Sequence, residues 1–193
     1  DFWLGPAPYR PYNPNHVHYN FRFFWDYSGG QMTNFGAHDL DIAQWGLGTD
    51  ESGPVSAEGI AKYNKDAQYE VPDWCKVTYK YADGTTVICG QGQPGGTTFE
   101  GSDGKVHVNR DGLEVTPQDL APEPPVELDV PWYQSTDHYA NWLDCIRSRK
   151  LPICDVAIGH RSATVCHLGN IAIRSQQKVS WDPVRERVIG DDD

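Results

Sequence analysis

The sequence predicts an α+β domain in which helices pack on one face of an open, mostly antiparallel β-sheet. Three observations lead to this fold class. Short strand-like segments divided by tight turns fill residues 55–117. One helical segment precedes these strands and two follow them. Strands and helices do not alternate along the chain, so a parallel sheet built from strand–helix–strand units is not expected.

The composition is that of a folded protein with an acidic surface. The 193 residues are 38% hydrophobic and carry a net charge of -11, and this length suffices for one domain. An acidic surface repels nucleic acid and anionic membranes, and no run of about 18 apolar residues occurs. Neutral or polyhydroxylated small molecules are the compatible partners. The five cysteines form no C-x-x-C pair, so reduced, mostly buried thiols are expected rather than structural zinc.

The first 33 residues are interpreted as an ordered but irregular arm of the same domain, which continues over residues 34–193. Four prolines within residues 6–14 forbid a long helix there. Many aromatic side chains follow, and leaving them all in water would be costly. The aromatic residues in question are Tyr9, Tyr12, Tyr19, Phe21, Phe23, Phe24, Trp25 and Tyr27.

A helix is predicted from about Asn34 to Leu47, with Thr33 as its N-cap and Gly46 and Gly48 at its end. After it, strands are predicted at residues 55–63, 74–82, 85–90, 97–100, 105–109 and 113–115. A proline-rich extended crossing over residues 117–131 is expected to connect them to the closing helices.

A β-hairpin is the clearest local prediction in the strand region. Asp83-Gly84, a dipeptide typical of two-residue turns, joins the second and third strands. With Ala82 opposite Thr85, alternation divides the side chains between two faces. One face is expected to carry Val77, Tyr79, Tyr81 and Ile88, and the other Lys76, Thr78, Lys80 and Cys89. In this register Cys75 and Cys89 are not opposite each other.

Two helices are predicted to close the domain. The first covers residues 135–149 with Ser135 as its cap, and the second runs from a cap at Asp155 to about Gln176. Helical spacing gives each an apolar stripe. The stripes are Tyr139, Trp142, Leu143 and Ile146 in the first helix, and Ile158, Val165, Leu168 and Ala172 in the second.

The densest group of chemically active side chains lies on the first predicted helix. Asn34, His38, Asp41 and Trp45 are separated by four, three and four residues, so they line one helical face. His38 can exchange a proton near neutral pH, and Asp41 or Asn34 can orient its ring. The same spacing also fits a capped helix whose His and Asp simply face solvent.

Other patterns are weaker. His16-x-His18 lacks a third ligand, so no metal site is expected. His160-Arg161 at a helix start is compatible with anion binding or with plain surface decoration. The aromatic arm suits either stacking on a sugar face or ordinary packing. No G-x-G-x-x-G follows a strand, so a dinucleotide-binding fold is not expected within this chain.

Beyond these patterns, residues 29–46, GGQMTNFGAHDLDIAQWG, closely resemble the signature of the Gfo/Idh/MocA oxidoreductases, which include glucose–fructose oxidoreductase and inositol dehydrogenase. The resemblance is to the bacterial branch and covers nearly the whole chain. Further matching segments are WLGPAP at residues 3–8, FFWDY at 23–27, GHRSAT at 159–164 and LGNIA at 168–172.

The resemblance implies the C-terminal domain of such an enzyme, with a dihydrodipicolinate reductase-like fold. In this family the open sheet builds the substrate site and a dimer or tetramer interface. An N-terminal domain that binds NAD or NADP is expected outside this chain, which alone should be inactive. Hydride then passes between nicotinamide and a carbon of a sugar, cyclitol or related polyol.

The resemblance also assigns site residues by motif position. His38 matches the family's catalytic histidine, and Asn34 stands where the family has an aspartate. The residues expected to contact substrate are Arg22, Trp25, Asp26, Tyr27 and His160. Because Asn34 cannot ionise, His38 loses a charge-stabilising partner, and Asp41 or a lysine of the cofactor domain would have to compensate.

Two alternatives therefore stand beside the dehydrogenase. One is a free-standing carbohydrate-binding or assembly module without catalysis, and the other is part of an NAD-dependent redox glycosidase. The sequence does not choose between the cytoplasm and the periplasm, because an export leader would lie on the expected N-terminal part.

Overall fold

A computed structural model describes residues 2–121 and 133–190. Most of the predicted crossing at residues 117–131 therefore lies outside the described residues. Two compact units are present, residues 1–95 with 161–193 (the first unit) and residues 96–160 (the second unit). None of the helices in the described residues has the length and apolarity needed to span a bilayer.

The elements follow one another in an α+β order. The strands are β1 Ser56–Lys62, β2 Trp74–Lys80, β3 Thr86–Gly90, β4 Thr97–Glu100, β5 Lys105–Val108, β6 Leu113–Thr116, β7 Val179–Asp182 and β8 Arg187–Val188. The α-helices are α1 Gly30–Thr33, α2 Phe35–Gly46, α3 His138–Ser148 and α4 Val156–Ser175. Short 3-10 helices cover Pro14–His16, His18–Phe23 and Gln118–Leu120.

All strand pairs are antiparallel, which confirms the predicted fold class, although two sheets replace the single one expected. The first unit holds a five-stranded sheet in the order β3-β2-β1-β7-β8. The second unit holds the meander β4-β5-β6. Strands β7 and β8 were not predicted, and β8, with two residues, is too short to show an alternating pattern.

The core of the first unit lies between its sheet and α4. Val77 and Tyr79 of β2 are fully buried, as is Leu168 of α4. Small residues allow the helix to approach the sheet closely. A Cβ on Gly169 would lie 2.2 Å from the Tyr79 Oη, and one on Gly59 of β1 would lie 3.0 Å from the Ile173 side chain. Either addition would force neighbouring atoms apart in a close-packed interior.

The predicted hairpin register is wrong by one residue. Tyr79 pairs with Val87 and Thr78 with Ile88, so Ile88 lies on the outer face and Cys89 on the core face. The loop has three residues, Ala82–Gly84, closed by a hydrogen bond from the Tyr81 N–H to the Thr85 carbonyl (2.9 Å). Two hydrogen bonds from Thr85 to the Asp83 carboxylate hold this loop, and Gly84 takes the left-handed conformation it requires.

The predicted helix over residues 34–47 is interrupted at its first residue. Asn34 has φ -101° and ψ -86°, which separates the single turn of α1 from α2. Thr33 is not a cap, because its hydroxyl donates to the Gly30 carbonyl at the other end of α1. Gly30 has φ +67°, a conformation that favours glycine, and Val71 leaves no room for a side chain there.

One of the two caps predicted for the closing helices is correct. The Asp155 carboxylate accepts from the Ala157 N–H (2.9 Å) at the start of α4, as expected. At α3 the cap is Asp137 rather than Ser135, since the Asp137 carboxylate accepts from the backbone of residues 139 and 140. Both serine and aspartate are good caps, so sequence alone ranked the two candidates wrongly.

Candidate functional site

Helix α2 is held rigidly by contacts with the core and with α4. Leu40 and Ala43 are buried. The Ser162 hydroxyl donates to the Asp41 carboxylate (2.6 Å). Further along α4, the Asn170 amide donates to the Gly29 carbonyl (2.9 Å) just before α1. These two bonds fix both the body of α2 and the glycine turn that leads into it.

The His38 side chain of α2 is exposed to solvent. Its ring contacts the edge of Phe35, with ring centroids 6.4 Å apart. Within the part of the chain that the structure describes, the imidazole makes no hydrogen bond to Asn34 or Asp41. Two of the three polar side chains of the predicted cluster therefore bind other partners: Asp41 accepts from Ser162, and the Asn34 amide donates to the Gln31 side chain (3.3 Å). Trp45, the fourth residue of the predicted stripe, is 59% exposed.

A buried polar network that the sequence did not reveal stabilises the end of α2. Gln44 is 1% exposed, and its carbonyl oxygen accepts from the hydroxyls of Tyr81 (2.5 Å) and Thr49 (2.9 Å). Its amide donates to the carbonyls of Thr49 and Ser52, each at 3.1 Å. Burial raises the pKa of Tyr81, and Asp83 raises it further, so the phenol stays protonated and donates. A glutamine in a helix carries no sequence signal of such a role.

The arm is fastened to the loop between β1 and β2 by Glu70. One carboxylate oxygen accepts from the Arg10 guanidinium and the other from the Trp25 N–H, both at 2.9 Å. The Trp25 indole donates to the Glu70 carbonyl (3.0 Å). Arg10 also pairs with Asp26 (2.5 Å). The Glu70 hydrogen bond is the main cause that raises the pKa of Arg10. Neither Arg10 nor Glu70 carries a sequence signal of this contact, because 60 residues separate them.

These contacts change the interpretation of the residues predicted to touch substrate. Asp26 is engaged by Arg10, and Trp25 is held by Glu70 and covered by Arg174, whose guanidinium lies 4.7 Å from the ring. The Arg22 guanidinium stacks on Tyr19 at 3.8 Å. Arg22, Trp25 and Asp26 therefore stabilise the arm in this structure. Of the four arm residues predicted, Tyr27 lines an open recess.

That recess, which we call the arm cleft, has a volume of about 450 Å³. Ligand sites typically measure about 300–1,000 Å³. Its lining consists of Trp3, Leu4, Tyr9, Arg10, Pro11, Tyr12, Asn13, His16, Val17, His18 and Tyr27. No lining residue belongs to α1 or α2, so the arm cleft and the surface around His38 are built from different segments.

His160 and the two histidines of the arm complete the set of predicted positions. His160 is an exposed residue of α4 within the second unit. Its neighbour Arg161 is occupied, since it donates to the Asp50 carbonyl (3.1 Å) and lies 3.8 Å from Glu186. His16 packs against Phe24, with ring centroids 4.4 Å apart. No cluster of three or more His, Cys, Asp or Glu side chains able to hold a metal occurs in residues 2–121 and 133–190.

The sequence and fold match one oxidoreductase family. The family model GFO_IDH_MocA_C2, described as "Oxidoreductase family, C-terminal alpha/beta domain", matches residues 1–193. Among curated proteins, none matches the sequence.

Solved structures with a similar fold include three NAD- or sugar-related proteins. The WlbA dehydrogenase from Bordetella pertussis, in complex with NADH and UDP-GlcNAcA, has 19% identity and a TM-score of 0.58, covering 83% of this chain and 48% of that one. Aldose-aldose oxidoreductase from Caulobacter crescentus, complexed with glycerol, has 20% identity and a TM-score of 0.56, covering 80% and 49%. GenD2 from gentamicin A biosynthesis, in complex with NAD, has 15% identity and a TM-score of 0.53, covering 86% and 52%. The chain spans about half the length of these structures, and the similarity is one of fold.

Proposed function

The chain belongs to the Gfo/Idh/MocA oxidoreductase family as its C-terminal α/β domain, and from this premise we propose that it binds the substrate of an NAD- or NADP-dependent enzyme. The substrate class is a sugar, cyclitol or related polyol. The same domain is proposed to form the oligomer interface. This chain alone is proposed to be inactive, because the cofactor would be held mainly by a domain outside this sequence.

The observation that carries this proposal is the exposed imidazole of His38 on a helix whose other side is locked into the core. A general base must reach the hydroxyl proton of a bound substrate, and it works best on a rigid element. Asp41 and Ser162 hold the helix, while the His38 ring stays accessible. His38 would accept the hydroxyl proton, and the Asn34 amide, one turn earlier, would hydrogen-bond to the same hydroxyl.

The described residues do not themselves fit the cofactor. Every strand pair is antiparallel, so no strand–helix–strand unit offers a helix N-terminus to a pyrophosphate. When bound, the nicotinamide would supply the hydride acceptor. The part proposed for this chain is to position the polyol and to take its proton.

The test uses the full-length protein with NAD or NADP and a panel of aldoses and cyclitols, monitored by absorbance of the reduced cofactor. His38→Ala should lower kcat by about 100- to 10,000-fold, the usual contribution of a general base. His138→Ala, at the exposed start of α3, is the matched control and should leave kcat unchanged. Full turnover of His38→Ala across the pH range would remove His38 from the proposal.

A second candidate, a carbohydrate-binding module without catalysis, is favoured by Asn34, an amide at the position where the resemblance expects an aspartate. Asn34 cannot ionise, and the Asp41 carboxylate is bound to Ser162. Asn34→Asp separates the two candidates. In an enzyme, the new carboxylate should stabilise the protonated ring of His38 and raise kcat several-fold. A protein that binds sugars but stays inactive with either residue is the module. NAD-dependent release of p-nitrophenol from an aryl glycoside would instead indicate a redox glycosidase.

The proposed oligomer interface is the outer face of the five-stranded sheet. This outer sheet face carries Glu58, Ile60, Lys76, Thr78, Lys80 and Ile88. Two of these are apolar yet open to solvent, Ile60 at 62% and Ile88 at 47% exposed. Sedimentation of the full-length protein tests the proposal: Ile60→Glu with Ile88→Glu should give monomers. Val184→Glu, at a position 89% exposed between β7 and β8, should leave the oligomer intact.

A further inference from the structure

The walls of the arm cleft are aromatic side chains that the fold leaves open. Trp3 is 54% exposed, Tyr9 76% and Tyr12 80%. Trp3 meets Tyr27 edge-on at 5.0 Å, and this pair forms one side of the recess. Exposed apolar surface gathered around a concavity is typical of a ligand groove. Aromatic faces also pack well against the C–H faces of a saturated ring.

The arm cleft is held in shape before any ligand arrives. The Arg10 guanidinium lines the cleft and forms two ion pairs, with Glu70 at 2.9 Å and with Asp26 at 2.5 Å. Glu70 in turn binds the backbone and the side chain of Trp25. A recess fixed in this way loses little conformational entropy on binding, so modest contacts suffice to hold a ligand.

Charge around the arm cleft selects a neutral ligand. Both amino groups of Arg10 are used by carboxylates, so the trio of Arg10, Asp26 and Glu70 carries a net charge of -1 when all three are ionised. The whole chain is also acidic, at -11. An anion would therefore be repelled. A cation would compete with the Arg10 guanidinium, which already lies 5.9 Å from the Tyr27 ring.

Polar groups on the rim of the arm cleft suit hydroxyl groups. The Asn13 carbonyl oxygen accepts from the Asn15 N–H, while its amide donates to no residue in the described portion of the chain. His18 is exposed and has φ +54°, a left-handed conformation that costs on the order of 1 kcal/mol for a residue with a side chain. Such strained residues concentrate at functional sites, and this one places a second hydrogen-bonding side chain on the cleft wall.

We infer that the arm cleft binds a neutral polyhydroxylated ring, a monosaccharide or cyclitol unit, stacked against Trp3 and Tyr27. The ligand class rests on the proposed function, whereas the place of binding rests on the cleft itself. Because the cleft shares no lining residue with α2, its occupancy and the chemistry at His38 are separable by mutation.

The experiment measures binding of methyl β-D-glucopyranoside and myo-inositol to the full-length protein by titration calorimetry and saturation-transfer NMR. Trp3→Ala and Tyr27→Ala should each weaken binding about three- to tenfold, the usual contribution of one aromatic contact. Trp142→Ala, a tryptophan 60% exposed on α3, is the matched control and should bind as the wild type does. Tyr9→Ala and Tyr12→Ala repeat the test at positions too exposed to affect folding.

Several outcomes would overturn the inference. These are unchanged binding in all four cleft variants, an equal loss in Trp142→Ala, or stronger binding of glucuronate or choline than of the neutral rings. Loss of all binding in His38→Ala alone would place the ring on α2 instead.

The inference and the proposed function can fail separately. If the protein shows no turnover but its ring binding still depends on Trp3, the arm cleft is a ligand site and the proposed enzyme activity is wrong. If turnover depends on His38 but ring binding and KM are unchanged in the cleft variants, the enzyme activity stands and the arm cleft is not the ligand site.

Discussion

The two units of the chain reach ordered structure by different means. In the first unit, residues from β1, β2 and α4 are completely buried, among them Ala57, Val77 and Cys166. In the second unit, none of the described residues at 96–121 and 133–160 is buried. An apolar stripe was nevertheless predicted for both α3 and α4. An apolar stripe in the sequence therefore does not by itself establish a core.

Local hydrogen bonds define the second unit instead. Asp137 caps α3, and the Asn109 side chain closes the turn between β5 and β6 by accepting from the N–H groups of Asp111 and Gly112. Such bonds contribute about 0.5–1.5 kcal/mol each. We therefore expect the two units to differ clearly in thiol reactivity and in the cost of substitutions at matched positions.

Thiol reactivity should show the largest difference. Burial raises the pKa of Cys166 to about 12, and that of Cys89 to about 12 as well. At pH 8 the thiolate of each should be about 2,000-fold rarer than that of an ordinary thiol with a pKa of about 8.5. Cys154 in the second unit is exposed. Iodoacetamide should thus label Cys154 first, as measured by peptide mass spectrometry. Equal rates would mean that the first unit opens readily.

The second largest difference is expected in the free energy of unfolding that each unit loses when a leucine is truncated. Leu168→Ala removes a side chain that is 1% exposed and should lower the free energy of unfolding by about 3 kcal/mol. Leu143→Ala removes one that is 43% exposed on α3 and should lower it by less than about 1 kcal/mol. Urea unfolding of the purified chain gives both values. Similar losses at the two sites would contradict the contrast between the units.

Removal of a polar side chain should also lower the free energy of unfolding more in the first unit than in the second, but by a smaller difference. Gln44→Ala would leave the Tyr81 hydroxyl and two backbone carbonyls without their buried partner, and we expect a loss of about 2 kcal/mol. Asn109→Ala removes turn hydrogen bonds near solvent and should cost about 0.5–1 kcal/mol. The comparison uses the same urea measurement. A Gln44→Ala protein as stable as Asn109→Ala would show that water replaces the lost bonds.

The sequence was sufficient where the determinant is local. The strand at residues 97–100 and the Asp155 cap are set by residues within a few positions of each other, and the structure agrees with both. The hairpin shows the limit of this reasoning. Asp83-Gly84 correctly located a turn, but the loop has three residues instead of two. This one-residue error exchanged the faces predicted for Ile88 and Cys89.

The candidate site was predictable in its position but not in its contacts. Residue spacing selected Asn34, His38 and Asp41, yet only the structure shows that Asp41 is bound to Ser162, 121 residues away. The same holds for Glu70 and Arg10, which shape the arm cleft across 60 residues. Interactions at such separations leave no periodic pattern in a single sequence, so neither spacing nor composition reveals them.

The smallest expected effect concerns Asp50, beside α2 in the first unit. Partial burial raises the pKa of Asp50, and the nearby charges of Asp41 and Glu51 raise it further. Because the pKa is higher in the folded than in the unfolded state, the ionised carboxylate opposes folding at neutral pH. This penalty decreases as the pH falls through the folded-state pKa, and it vanishes below the ordinary value of about 3.9.

Asp50→Asn should therefore raise the urea midpoint slightly at pH 7 and leave it unchanged near pH 3, since about 3.9 is the pKa of an unperturbed aspartate. The side chain is only partly buried, so solvent screening keeps the gain small. Asp144→Asn on α3 is the matched control from the second unit. Its carboxylate pairs with Arg147 at the surface, with 72% of the side chain exposed, and such pairs contribute about 0–1 kcal/mol. Loss of stability at pH 7 in Asp50→Asn would mean that the Asp50 charge stabilises α2. The difference between Asp50 and Asp144 would then not arise from the burial of Asp50.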